Sequence, residues 1–155
     1  MLQSLYGRWL DHRADAHFKR DRKKREKIVG ASVVTNEQYK IAIHSAVVEC
    51  AGRDFYTGED LDWGLIGTGD NEVSRALRRD YQSGRALMPV VDHVGDGLGA
   101  PEFKICSQRT NSAKHSLSHS QFVQLCRKVV DHNLGGASLR EASTSSRAPV
   151  SVTET

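Results

Sequence analysis

The chain has 155 residues, of which 38% are hydrophobic and only 6% aromatic, and its formal net charge is +3 at pH 7. This length and composition predict one modest globular domain with some tail, and they exclude a large multilayer core. No segment approaches the roughly 20 apolar residues that a membrane-spanning helix needs, so no membrane association is predicted. The N-terminus lacks the basic lead of a secretory signal peptide, since charged residues follow from Arg8 onward.

Three cysteines, Cys50, Cys106 and Cys126, lie far apart in the sequence and form no CxxC pair. An odd number of separated cysteines argues against a disulfide framework and favours a reducing compartment. We therefore predict a cytoplasmic location.

Residues 2–28 are predicted to form one helix, because apolar residues recur at helical spacing in its first half. Its second half is basic: between His17 and Lys27 lie seven Lys or Arg residues, against only Asp21 and Glu26. Such a run attracts polyanions, since neutralising phosphates releases counterions. We therefore predict that residues 1–30 form a basic N-terminal helix whose Lys23 and Lys24 contact nucleic acid. The alternative is a solvated helix face.

A second helix is predicted to start at the Thr35-Asn36 cap, with His44 in a packing role inside it. Residues 53–59 are predicted to form a turn, and residues 72–81 a short charged helix. The GTGD sequence at 67–70 lacks the lysine and the preceding apolar strand of a phosphate-binding loop, so that function is rejected.

The C-terminal half is predicted to contain two short strands, at 90–94 and 103–106, joined by a glycine-rich loop and followed by a helix at 108–115. A last helix is predicted to begin at a Ser118/Gln121 capping box and to stop at Gly135-Gly136. Its predicted buried face consists of Phe122, Leu125, Cys126, Val129 and Val130. Residues 31–134 would then form the main domain and residues 135–155, rich in Ser and Thr, a disordered tail. The predicted fold class is α+β and mostly helical.

Four polar residues in this half could carry chemistry: Asp92 and His93 end the first strand, Asn111 opens the following helix, and Lys114 comes three residues later. Mg²⁺ takes oxygen ligands and keeps several waters, so one carboxylate and one carboxamide suffice as protein ligands. A histidine with a pKa near 6.5 can accept the proton of an attacking water.

The segment 88–117 resembles the HNH endonucleases, a family with a ββα-metal motif. The resemblance implies that Asp92 and Asn111 bind one Mg²⁺ or Mn²⁺ ion and that His93 is the general base. It implies nucleic acid, taken as DNA, as the substrate. Lys114 matches a basic position that could touch a phosphate, and Arg109 is a further candidate contact.

Two departures from the family pattern are present. The central Asn that orients the base histidine is replaced by the sequence Pro101-Glu102-Phe103. The two CxxC pairs of many relatives are absent, so no structural zinc is predicted. The alternative function is therefore a catalytically degenerate nucleic-acid-binding or accessory protein. A third possibility is an interaction protein whose N-terminal helix docks to a partner.

Two points of geometry stay open at the level of sequence. Adjacent residues on a strand point to opposite faces, so Asp92 and His93 could converge only if the strand bends or bulges near Gly95. Asn111 could also be an ordinary residue of a helix N-terminus, where Asn is favoured.

Overall fold

The structure is a computed structural model that describes residues 2–29, 33–67 and 84–144. It is α+β, as predicted, and divides into two compact units, Met1–His115 and Ser116–Thr155. The first unit contains α1 (Leu2–Arg25), α2 (Asn36–Cys50), a 3₁₀ turn (Trp63–Leu65), β1 (Pro89–His93), β2 (Phe103–Ser107) and α3 (Gln108–Lys114). The second contains α4 (His119–Thr144). The first unit therefore contains α1 together with the hairpin.

The two strands form an antiparallel hairpin whose register runs without interruption from Pro89 opposite Ser107 to His93 opposite Phe103. Because side chains alternate along a strand, this register fixes two faces. One face carries Val91, His93, Phe103 and Ile105, and the other carries Val90, Asp92, Lys104 and Cys106.

The main core lies between the first of these faces and the helices α1 and α2. Trp9 and Ala14 of α1, Tyr39 and Ile43 of α2, and Ile105 of β2 are buried together. The helix α2 begins at the predicted cap, where Thr35 and Gln38 form a reciprocal capping box. A smaller cluster of Met88, Val90 and Cys106 covers the second face of the hairpin.

The predicted turn at 53–59 is present and is held by the buried carboxylate of Asp54. Its oxygens accept hydrogen bonds from the backbone N–H groups of Tyr56 (2.8 Å), Thr57 (3.2 Å) and Ser107 (2.8 Å). Burial raises the pKa of Asp54, but the hydrogen bonds, above all the one from Ser107, hold it below its ordinary value. One carboxylate thus joins this turn to the end of β2.

Replacing Asp54 with alanine should destabilise the protein by about 2–3 kcal/mol, because three N–H donors then lose their acceptor, one of them on buried Ser107. Urea unfolding measures the change. The matched control is Asp60→Ala, which removes an exposed carboxylate directly after the turn and should cost less than about 1 kcal/mol. Equal losses for the two variants would contradict the role of Asp54.

The last helix, α4, differs from its prediction in two respects. The capping box at Ser118 and Gln121 is present, but the predicted buried face is wrong: Leu125, Val129 and Val130 are 46%, 54% and 50% exposed. The helix also runs through Gly135-Gly136 to Thr144, because a glycine lowers helix stability by only about 1 kcal/mol and does not forbid the conformation. Apolar periodicity identified the helix but not what covers it.

Some predictions fall outside the described residues. These are the short helix at 72–81, most of the GTGD segment, and residues 145–155 of the predicted tail. None of the described helices combines the length and apolar character that crossing a membrane requires.

Candidate active site

Asp92 and Lys114 meet where the hairpin packs against α3. The ammonium nitrogen of Lys114 lies 3.2 Å from both carboxylate oxygens of Asp92, and both residues are buried. The Tyr56 hydroxyl donates a further hydrogen bond to Oδ2 of Asp92. Burial and this carboxylate raise the pKa of Tyr56, so the phenol remains a proton donor. Asp92, the first of the predicted site residues, is thus a buried carboxylate that already binds the ammonium group of Lys114.

Asn111 lies one helical turn before Lys114, so the two residues share one side of α3. The helix cap is Ser107, whose hydroxyl accepts from the N–H of Thr110, and Asn111 is therefore not the capping residue. Its side chain is half-buried and makes no hydrogen bond to the described part of the chain. The carboxamide is accordingly available to a ligand.

His93 lies on the opposite face of β1 from Asp92. Its ring stacks on His17 with centroids 6.1 Å apart and meets Phe103 edge-on at 5.3 Å. The register of β1 has no bulge that would turn His93 toward Asp92. Asp92 therefore contacts Lys114 of α3, whereas His93 contacts residues of α1.

Nε2 of His93 is 2.9 Å from Oδ2 of Asp21, and the imidazole is only 9% exposed. The oxygen lies off the direction of an Nε2–H bond, so the contact is electrostatic and Nε2 keeps no directed hydrogen bond among the described residues. Burial is the main influence on the pKa of His93 and lowers it. Asp21 opposes this shift, while Arg20 and Lys24 add to it. The imidazole is therefore neutral at pH 7, which is the form that a general base requires.

Asp21 is a site residue that the sequence did not reveal. It is fully buried and accepts hydrogen bonds from the Tyr39 hydroxyl (2.9 Å) and from Arg20 (3.2 Å). Burial raises its pKa, but these bonds and His93 hold the pKa below its ordinary value. Asp21 is therefore an ionised, buried carboxylate beside the candidate base.

Arg25 connects this carboxylate to the loop after β1. Its guanidinium donates to the Tyr39 hydroxyl at 2.8 Å and to the carbonyl oxygen of Gly97 at 2.9 Å. A signal for this network does exist in the sequence: Ala14, Phe18, Asp21 and Arg25 recur at helical spacing, so they continue one face of α1. The sequence analysis nevertheless placed Asp21 and Arg25 on the surface, because the apolar stripe of the helix ends at Leu10.

The remaining candidate contacts lie on the surface. Lys23 and Lys24 are exposed on α1, and Lys24 donates to the carbonyl oxygen of Asp96 at 3.2 Å. Arg109 is exposed on α3 and forms an ion pair with Glu59. Nucleic-acid contact by these residues stays a prediction.

Among the described residues, no three His, Cys, Asp or Glu side chains form a group that could hold a metal ion. The predicted pair of Asp92 and Asn111 relies on a carboxamide and on water ligands instead. Comparisons with protein-family models, with curated proteins and with solved structures find no match to this chain.

Proposed function

We propose that the protein is a metal-dependent endonuclease that hydrolyses phosphodiester bonds of nucleic acid, with DNA as the substrate. The observation that supports it is the contact between Asp92 at the end of β1 and Lys114 on α3, with Asn111 on the same side of that helix. The hairpin carboxylate is therefore next to the Asn-x-x-Lys helix, as the HNH resemblance requires.

The residues present fit a hard divalent cation. Both oxygens of Asp92 already lie against a positive charge, the ammonium of Lys114, and the Asn111 carboxamide has no hydrogen-bond partner among the described residues. Asp92 and Asn111 would hold Mg²⁺ or Mn²⁺, and Lys114 would leave the carboxylate and become available to a phosphate. When bound, the cation supplies a Lewis acid for the phosphoryl oxygen and for the departing oxygen.

His93 would take the proton of the attacking water at Nε2. The ionised carboxylate of Asp21, 2.9 Å away, then stabilises the imidazolium that forms. Asp92 and His93 are the last two residues of β1 and leave it on opposite faces. One phosphate can reach both only across the end of the strand, where the loop at 94–102 begins.

Incubation with supercoiled plasmid and Mn²⁺ tests this function. We expect conversion to nicked or linear plasmid, and none when a chelator is present. A protein that binds the plasmid but leaves it intact with every divalent cation tried would overturn the proposal.

A second candidate function, nucleic-acid binding without hydrolysis, is favoured by one observation. Lys114 and Tyr56 both bind the Asp92 carboxylate, so side chains of the protein already compensate its charge. The plasmid assay separates the two functions, because this candidate predicts binding that does not depend on divalent cations.

Replacement of Lys114 by methionine should make the protein less stable but more responsive to Mn²⁺. Removing the ammonium leaves Asp92 as a buried, unpaired charge, which costs about 3–5 kcal/mol, and a bound cation would compensate for that loss. We expect Mn²⁺ to raise the melting temperature of Lys114→Met more than that of the unchanged protein.

The control for this experiment is Lys104→Met. Lys104 lies opposite Asp92 in the sheet but pairs with Glu49 at the surface, so its loss should leave the Mn²⁺ response unchanged. If Mn²⁺ stabilises none of the three proteins, Asp92 is not a metal ligand.

A further inference from the structure

A pocket of about 150 Å³ lies between the C-terminal half of α2, the turn at 53–59 and β2. Its walls are mainly apolar, and it is partly open to solvent. The backbone fixes the turn against the strand, because the N–H of Phe55 donates to the carbonyl oxygen of Ile105 at 3.0 Å. The residues that line the pocket are Ala46, Glu49, Cys50, Phe55, Lys104 and Ile105.

The volume of the pocket limits what can enter it. A cavity of about 150 Å³ holds one six-membered aromatic ring such as benzene, whereas drug-sized ligands need about 300–1,000 Å³. The pocket therefore fits a single ring and is too small for two fused rings.

Phe55 forms an aromatic wall of the pocket. Its side chain is 45% exposed, and the ring of Tyr56 packs edge-on against it with centroids 5.0 Å apart. The ammonium nitrogen of Lys104 lies 5.2 Å from the centre of the Phe55 ring. Exposed aromatic side chains bind nucleobases by stacking, because every base has a π-face. A flat ring that enters the pocket would pack against Phe55.

Glu49 and Lys104 supply the polar groups of the pocket. Nζ of Lys104 lies 3.4 Å from Oε2 of Glu49, so a hydrogen-bond donor and an acceptor stand side by side. An exposed ion pair of this kind contributes little stability, so a ligand can compete for both groups. The pairing edge of a base offers a donor beside an acceptor, and enzymes that take up an unpaired base bind it through that edge. An apolar side chain of a protein partner would fill the space but offer nothing to either polar group.

The pocket is adjacent to the Asp92 site. Lys104 is the cross-strand partner of Asp92, and such partners have Cα atoms about 4.5–5.5 Å apart. Tyr56, the residue after Phe55, donates its hydroxyl hydrogen bond to Asp92. A base in the pocket and a phosphate at Asp92 would therefore belong to neighbouring parts of one strand.

We propose that this pocket binds an unpaired pyrimidine base, with the ring against Phe55 and the pairing edge on Glu49 and Lys104. The placement of that base in a nucleic-acid strand rests on the proposed function. A base inside a duplex is stacked and paired, so the pocket makes single-stranded or locally unpaired nucleic acid the substrate class. The shared chemistry is that of a pyrimidine ring, which a free mononucleotide also offers.

The test measures binding of short fluorescent strands made of abasic sugar–phosphate units, in the presence of chelator so that no cleavage occurs. The strands carry one central cytosine, one central thymine, one central adenine or no base. We expect either pyrimidine to strengthen binding about tenfold over the strand without a base, and adenine to strengthen it less than about threefold. An equal gain for adenine would overturn the assignment to a pyrimidine.

Variants locate the gain in the pocket. Phe55→Ala should bind all four strands alike, whereas Ile41→Ala should keep the tenfold gain, since Ile41 is an exposed apolar residue of α2 outside the pocket. Glu49→Ala serves if Phe55→Ala does not fold, because Glu49 is exposed, and it should reduce the gain to about threefold or less. A gain that survives in both pocket variants would show that the base binds elsewhere.

A free nucleotide distinguishes the two sources of the ring. If cytidine monophosphate raises the melting temperature of the unchanged protein but not of the pocket variants, while the four strands bind alike, the pocket stands and its ligand is a free nucleotide. If neither the strands nor the nucleotide distinguish the unchanged protein from the pocket variants, the pocket does not bind pyrimidines.

The outcome is separable from that of the plasmid assay. A protein that shows the pyrimidine-dependent gain but never cleaves plasmid keeps the pocket and loses the hydrolytic function. A protein that cleaves plasmid and binds all four strands alike keeps the function and loses the base pocket.

Discussion

Replacing His93 with alanine should lower the rate of plasmid cleavage about 100- to 10,000-fold, the range that loss of a general base produces. The expectation rests on Nε2 of His93, which is neutral at pH 7, has no directed hydrogen bond among the described residues and lies beside ionised Asp21. Single-turnover cleavage at saturating Mn²⁺ is the measurement, because it isolates the chemical step from product release.

The folded state must be checked in the same experiment, because His93 packs against His17 and Phe103. Removing its ring should cost about 1–3 kcal/mol, so cleavage is measured well below the melting temperature of the variant. His44→Ala is the control, since His44 is an exposed histidine that bonds only to the Tyr6 hydroxyl among the described residues, and it should cleave at the normal rate. Full activity in His93→Ala would show that another group activates the water.

The buried carboxylate of Asp21 gives α1 a role that its basic composition does not suggest. The helix was predicted as a surface that attracts phosphates, and its exposed lysines remain compatible with that prediction. The structure adds that α1 belongs to the unit that contains the hairpin and that its Asp21 lies against His93. The candidate base is therefore in direct contact with a carboxylate from the N-terminal helix.

Local signals in the sequence were sufficient for the elements that carry the site. The Thr35-Asn36 cap predicted α2 and the apolar Val90-Val91 pair before Asp92-His93 predicted β1, because these patterns depend on residues close together in the chain. The same local rules placed Asn111 and Lys114 on one side of α3.

Long-range contacts were not predictable in the same way. Asp21 and His93 are 72 residues apart, and nothing in the basic run indicates that one of its two acids is fully buried. Nor does the spacing of Leu125 and Val129 reveal whether another element covers them. Periodicity identifies a face of a helix, whereas the partner of that face depends on the whole fold.

Replacing Gly97 with alanine should destabilise the protein by about 2–5 kcal/mol. A Cβ atom at this position would lie 2.7 Å from Cγ and Oδ1 of Asp21, and the residue has φ +82°. The left-handed backbone costs alanine about 1–2 kcal/mol, and the clash with a buried carboxylate adds about 1–3 kcal/mol. Urea unfolding measures the loss, with Gly99→Ala as the matched control in the same loop.

Gly99 has open space around its Cα, so its alanine variant should stay within about 0.5 kcal/mol of the unchanged protein. A double variant then identifies the cause. If the new Cβ at position 97 clashes with the Asp21 carboxylate, Asp21→Ala should destabilise the Gly97→Ala variant less than it destabilises the unchanged protein. The reason is that removing the carboxylate also removes the clash. Strictly additive losses would mean that the loop after β1 does not rest on Asp21. The contact between Asp21 and His93 would then not be supported by packing of this loop against Asp21.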